Sequence, residues 1–260
     1  MKDQLNRHLK FNETPKRIVS LVPSQTELLV DLGLEDALIG VTKFCVHPNR
    51  LRQNKTIVGG TKQVSIDKIK VLKPDIILCN KEENTKIMIE ELEKIAPVHI
   101  SDVYNIEDSF ELICMYGEIF KKEEKAEAIV AEVRSKQNEF KSFVSKQPKL
   151  KVAYFIWKKP YMVAANQTFI NEMLSINNFE NVFENLNRYP EIQLKDLKDK
   201  RLDVILLSSE PYPFKEFDIE TFHEISSEVK VIIVDGEAFS WYGTRLLKAF
   251  DYFKKLRLEI

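Results

Sequence analysis

Glycine is scarce in this chain. Only 7 of 260 residues are glycine, well under the usual ~7%. A loop that cradles phosphate needs clustered glycines so that backbone N–H groups can approach the anion. Gly33, Gly40, Gly59, Gly60, Gly117, Gly236 and Gly243 form neither G-x-G-x-x-G nor G-x-x-x-x-G-K-[ST], which argues against nucleotide enzymes of those types. Cysteine is scarcer still. Cys45, Cys79 and Cys114 are odd in number and widely spaced, so there is no disulfide framework and a reducing compartment suits them. An excess of either charge is also missing: 39 basic residues against 40 acidic give −1, with no nucleic-acid footprint. No run approaches the ~18 apolar residues of a membrane-spanning helix. The opening Met1–Lys10 lacks the apolar stretch of a signal peptide, so with Met1 as the native start the chain is cytoplasmic.

What is present is a rhythm of short strands and helices, with 44% hydrophobic and 30% charged residues. Arg17–Val22 reads as a strand, and Ser24-Gln-Thr-Glu27 as a capping box before a helix that stops at Gly33. Ala37–Val41 is a second strand. Ser65 caps a helix ending before Pro74, and Asp75–Cys79 is an apolar run suited to a strand covered on both faces. Helices over Asn84–Ile95 and Glu107–Phe120 flank a strand at Pro97–Ile100. The Gly- and Pro-free stretch Lys121–Lys146 spaces Ala128, Ile129, Val133, Phe140 and Val144 at helical intervals. After Pro148 the rhythm restarts, with strands at Lys151–Ile156, Asp203–Leu207 and Lys230–Val234, a helix from Gln167 and a closing helix from Trp241 to Leu256. The expected fold is α/β: two lobes (1–120 and 148–260), each a small parallel sheet flanked by helices, joined by one long backbone helix over 121–147.

The halves also resemble each other. Ile66–Glu82 superposes on Leu194–Glu210, laying Asp75-Ile-Ile-Leu on Asp203-Val-Ile-Leu and Glu82 on Glu210. In such folds ligands bind beyond the carboxyl ends of the parallel strands, so those loops should line a cleft.

Several stretches then resemble one family in the right order. These are Arg17-Ile-Val-Ser-Leu-Val-Pro-Ser-Gln-Thr-Glu, Leu72-Lys-Pro-Asp-Ile-Ile-Leu, Asn177-Asn-Phe-Glu-Asn-Val-Phe183, Arg188–Leu197 and Ser240-Trp-Tyr-Gly-Thr-Arg-Leu. The chain resembles substrate-binding proteins for iron complexes and vitamin B12, most closely their cobalamin-binding branch. In Asn177–Phe183 both family glycines are replaced. The resemblance implies an exported, monomeric, non-enzymatic receptor that carries a metal-centred chelate to an ABC importer. Cobalamin or another corrinoid is the favoured ligand, with haem or a ferric siderophore next; no intrinsic cofactor is expected. It also implies acidic rim residues that dock arginines of the permease, here Glu82 or Glu83 and Glu210.

The expected ligand contacts lie in strand-end loops. They are Pro23 and Ser24 after the first strand, Phe44, Cys45 and His47 after the second, Thr61 and Lys62 beside the paired glycines, and Tyr104. In the second half they are Trp157, Tyr161, Trp241, Tyr242 and Arg245. Aromatics offer flat, rigid contact area suited to a corrin or porphyrin face. If extended, Cys45 and His47 point the same way, and a thiolate and an imidazole could ligate iron, cobalt or zinc. Two other readings stay open: an intracellular, non-transport relative with a Cys/His-based metal or catalytic site, and an adaptor that has lost its ligand.

Overall fold

The computed structural model describes residues 1–223 and 229–260. It divides into two compact units. The first comprises Met1–Arg134 with Trp241–Leu246, and the second Ser135–Ser240 with Leu247–Ile260.

The first unit holds β1 (Ile18–Ser20), α1 (Pro23–Asp31), β2 (Leu38–Thr42), α2 (Leu51–Asn54), β3 (Thr56–Gly59), α3 (Ile66–Leu72), β4 (Ile76–Asn80), α4 (Lys86–Leu92), β5 (Val98–Ser101) and α5 (Ile106–Phe120). The sheet order is β3-β2-β1-β4-β5 and every pairing is parallel. Alternate residues Val19, Leu21, Ile77, Cys79, Val98 and Ile100 pack with Ile69, Met88, Ile89 and Leu92 from α3 and α4. Such double-sided cover is why these strands read as continuous apolar runs.

Helix boundaries follow local chemistry. Ser65, Thr85 and Asn105 accept backbone N–H groups from the first turns of α3, α4 and α5, as caps should. Before α1 the expected capping box does not form. Val22 is the cap residue, with Pro23 at the first helical position, where a fixed φ is favourable. Ser24, Gln25, Thr26 and Glu27 lie buried inside the helix, and the Thr26 hydroxyl donates to the Val22 carbonyl at 2.9 Å. Gly33, at φ +80°, ends the helix as expected.

The long helix α6 spans Glu123–Val144, or ~33 Å. It starts two residues later than the apolar spacing suggests because Lys121 adopts φ 56° and closes α5. The division between units falls inside α6.

The second unit continues with β6 (Leu150–Lys158), β7 (Tyr161–Val163), α7 (Phe169–Ile176), β8 (Phe179–Asn181), β9 (Val204–Ser208), α8 (Glu216–His223), β10 (Lys230–Val234), α9 (Gly236–Ser240) and α10 (Leu246–Glu259). Its order is β10-β9-β6-β7, with β8 also on β6. This sheet is mixed rather than wholly parallel, since β7 runs antiparallel to β6. One face buries Phe155, Ile205, Leu207, Phe214 and Phe222. On the other, Tyr154 stacks on Phe239 at 5.0 Å and Phe239 on Phe253 at 4.8 Å. The closing helix begins at Leu246, five residues beyond the expected Trp241.

The internal repeat has a structural counterpart. Asp75 accepts the Lys16 and Arg17 amides at 2.9 and 3.0 Å ahead of β1. Asp203 likewise accepts the Lys151 amide at 2.6 Å at the start of β6. At the other end, Asn80 Oδ1 accepts the Glu82 amide at 2.8 Å, and Ser208 Oγ accepts the Glu210 amide at 3.3 Å. Each aspartate clamps the start of the neighbouring strand, and each strand-end side chain pins the turn carrying the acid.

Candidate ligand site

In the first unit β1 feeds β2 and β3 on one side, while β4 and β5 lie on the other. The carboxyl ends of β1 and β4 therefore mark the switch point where open α/β sheets bind ligands. Four strands finish there on a buried hydrogen-bonding residue: Ser20, Thr42, Asn80 and Ser101. Asn80 Nδ2 donates to Ser101 Oγ at 3.0 Å. Gln25 Nε2 donates to Ser101 Oγ at 2.5 Å and to the Tyr242 hydroxyl at 2.9 Å, while the Tyr116 hydroxyl donates to Gln25 Oε1 at 2.6 Å. Burial pushes the Tyr242 phenol up to about 12, so it stays protonated.

Residues 241–246 thus belong to the interior of the first unit. Trp241, Tyr242 and Arg245 are all buried, in the turn before α10 rather than at its start. Arg245 Nε donates to Glu27 Oε2 at 2.9 Å with both side chains nearly buried. The Arg245 guanidinium lies 5.0 Å from the Trp241 ring centroid. His47, half-buried, meets Trp241 edge-on at 5.5 Å. Gln25 and Glu27 were not among the expected site residues, because Ser-x-x-Glu reads as a capping signature.

The loop after β2 turns instead of extending, with the Cys45 amide donating to the Thr42 carbonyl at 3.1 Å. Cys45 and His47 consequently do not project together. Cys45 is fully buried, its sulfur 3.1 Å from Thr26 Oγ1 and 3.3 Å from Thr42 Oγ1, and burial pushes its thiol up. Among the described residues no group of three or more His, Cys, Asp and Glu is placed to hold a metal ion. Phe44, by contrast, is 48% exposed.

Paired glycines complete this rim. Gly59 takes φ +143°, and a Cβ there would sit 2.6 Å from the Gln63 carbonyl oxygen. Its own tight turn, closed by Gly60 N–H to Gln63 O at 2.8 Å, requires glycine. Thr61 and Lys62 ride on that turn; Thr61 O accepts Asn84 Nδ2 at 2.8 Å, and the Lys62 ammonium donates to the Glu82 carbonyl. Burial pushes the Glu83 carboxyl up against the opposing pull of Lys62, and its field reaches Cys45 and Tyr242. Across the sheet, Lys81 Nζ reaches Asp102 at 2.6 Å and the Tyr104 hydroxyl at 3.1 Å. Pro23 and Ser24 are buried in the first turn of α1.

In the second unit Trp157, near the carboxyl end of β6, is 38% exposed. It stands edge-on to Tyr212 at 5.7 Å, and its indole donates to the Lys159 carbonyl at 3.0 Å. Tyr161 is half-buried and packs on Phe155 and Phe222. Glu210 Oε1 accepts the Ser240 hydroxyl at 2.9 Å.

Known proteins share the fold. An uncharacterized ABC transporter substrate-binding lipoprotein of Bacillus subtilis is 28% identical over 69% of this chain and 59% of its own length, so the chain spans about three fifths of that relative. A vitamin B12-binding protein of Photorhabdus laumondii is 26% identical over 91% of this chain and 86% of its own. The crystal structure of the periplasmic vitamin B12 binding protein BtuF of Vibrio cholerae superposes with a TM-score of 0.81 at 19% identity, covering 95% of this chain and 99% of the other. Among the described residues no helix is long and apolar enough to cross a membrane. The model of the periplasmic binding protein family matches residues 18–227, and the chain belongs to that family.

Proposed function

We propose that this protein is the substrate-binding component of an ABC importer for a metal-centred chelate, with a corrinoid as the favoured cargo. The observation that carries this reading is a pair of exposed aromatics. Phe44 and Trp157 are 48% and 38% exposed, each just beyond or near the carboxyl end of a strand, where the fold places its ligands. Rings there offer the flat, rigid contact area that suits a corrin or porphyrin face. Tyr104 adds a third ring at the end of β5. The bulk of the buried polar network then serves to hold these loops. Glu82 or Glu83 in the first unit and Glu210 in the second, carried on equivalent turns, are the proposed permease-docking acids. Separated rim charges of this kind set docking orientation and association rate more than affinity.

The test is titration with cyanocobalamin, haemin and a ferric siderophore, read by visible absorption and by quenching of Trp157 and Trp241. Saturable cyanocobalamin binding that weakens at least tenfold in Phe44→Ala and Trp157→Ala is the expected result. Absence of a response to all three compounds would overturn the receptor reading. One observation favours haem as a second reading: the half-buried His47 imidazole, in the same loop as Phe44, is held edge-on by Trp241. A haemin Soret shift that disappears in His47→Ala would select it.

A further inference from the structure

The order β3-β2-β1-β4-β5 leaves β5 at the edge of the first sheet. Its inward groups are used: the Pro97 and Ser101 carbonyls accept the Ile77 and Lys81 amides, both at 2.9 Å. By strand alternation Val98, Ile100 and Asp102 then turn their backbone groups outward. Those groups are met by side chains of the first ten residues. The Ile100 amide donates to Asp3 Oδ2 at 3.2 Å, the Asp102 amide donates to Gln4 Oε1 at 3.1 Å, and Arg7 Nη2 donates to the Val98 carbonyl. Asp3 is the hub. It is 2% exposed and also accepts the Leu5 and Arg7 amides at 3.0 and 2.9 Å and Arg7 Nε at 2.8 Å. The segment folds on itself through the Lys2–His8 bridge and the Leu9 amide to the Met1 carbonyl. It therefore meets β5 through three side chains, not as a sixth strand.

We infer that residues 1–10 are a strap that blocks the edge of β5 from pairing with the β5 of a second copy of this chain. An uncovered edge offers unpaired N–H and C=O groups as a template. Alternating outward groups centred on Ile100 are self-complementary under a two-fold axis, as an antiparallel β5–β5 pair requires. Charged Asp3 and Arg7 answer those groups without presenting a new edge of their own. The inference is independent of the ligand.

Two variants test it: Asp3→Ala in the otherwise unaltered chain, and deletion of residues 1–10. Backbone hydrogen exchange and sedimentation velocity are measured on both. In Asp3→Ala the Ile100 amide should exchange at least tenfold faster, while Ile77 and Lys81, whose bonds lie inside the sheet, keep their protection. The deletion should sediment as a dimer in a concentration-dependent manner. Unchanged Ile100 exchange in Asp3→Ala would overturn the strap, including where the deletion fails to fold. A folded deletion that stays monomeric at high concentration would overturn self-pairing.

Discussion

Arg245 and Glu27 stand 218 positions apart in sequence, yet their side chains meet at 2.9 Å in the interior of the first unit. Removing one member of a buried pair strands the other charge, at about 3–5 kcal/mol. Arg245→Met or Glu27→Leu alone should each lower urea stability by about 3 kcal/mol. The double variant should recover most of that loss, because two apolar side chains replace two compensated charges. Equilibrium denaturation followed by tryptophan fluorescence measures the coupling.

His99 predicts a specific acid sensitivity. It is completely buried against Tyr116 at 5.3 Å, and among the described residues neither ring nitrogen has a hydrogen-bond partner. Burial pushes its pKa down to about 4, with Asp3 opposing and Arg7 reinforcing. The unfolded imidazole takes up its proton near ~6.5. Between those values the unfolded chain binds more protons, so the stability from neutral His99 is full above about pH 6.5 and declines toward pH 4. The gap corresponds to about 3 kcal/mol. His99→Leu should be at least as stable as the parent at pH 7 and should flatten that part of the pH–stability curve. A curve of unchanged slope would refute the assignment.

Thiol reactivity should single out one cysteine. Burial pushes the Cys45 and Cys79 thiols up and both are enclosed, whereas Cys114 is exposed on α5. Burial also raises Cys114, helped by Glu127, so its reaction is slow at neutral pH. An aromatic disulfide reagent should titrate one thiol in the native protein and three in guanidinium. Cys114→Ser should abolish the native reaction.

Gly236 supports the acid of the second unit. A Cβ there would lie 2.5 Å from Ser208 Oγ, 2.6 Å from Glu210 Cγ and 2.9 Å from the Glu210 amide nitrogen. Part of that obstruction is backbone and cannot rotate away. Gly236→Ala should therefore cost about 2 kcal/mol and displace the Glu210 turn. The urea midpoint reads the first effect, and the amide resonances of Ser209 and Glu210 read the second.

Much of the fold was legible because buried parallel strands write themselves as apolar runs. Asp75–Cys79 and Lys230–Val234 needed little more than that pattern, and Ser65 announced its helix. The missed elements are short. β3, β7 and β8 have 4, 3 and 3 residues, too few for a period to emerge. The turn at Lys159-Pro160, flanked by Trp157 and Tyr161, was the available signal for the antiparallel β7. Phe44 and Trp157 stood out as candidates because aromatics at or near strand ends are conspicuous, and the structure leaves both exposed. Gln25 and Glu27 were hidden by helical spacing that mimics a cap, and their partners arrive from the far end of the chain. Asn178 adopts a left-handed φ of 58°, which asparagine tolerates better than most residues.

The insertion of Trp241–Leu246 into the first unit sets the order of events during synthesis. A ribosome that has released residues 1–134 has delivered both central strands and α1, but nothing yet to neutralise Glu27 or to satisfy Gln25 from the Tyr242 side. Only when residues 241–246 have also been delivered can that interior close. A nascent chain stalled before that point carries an open, protease-sensitive first unit, although all of its strands are already made.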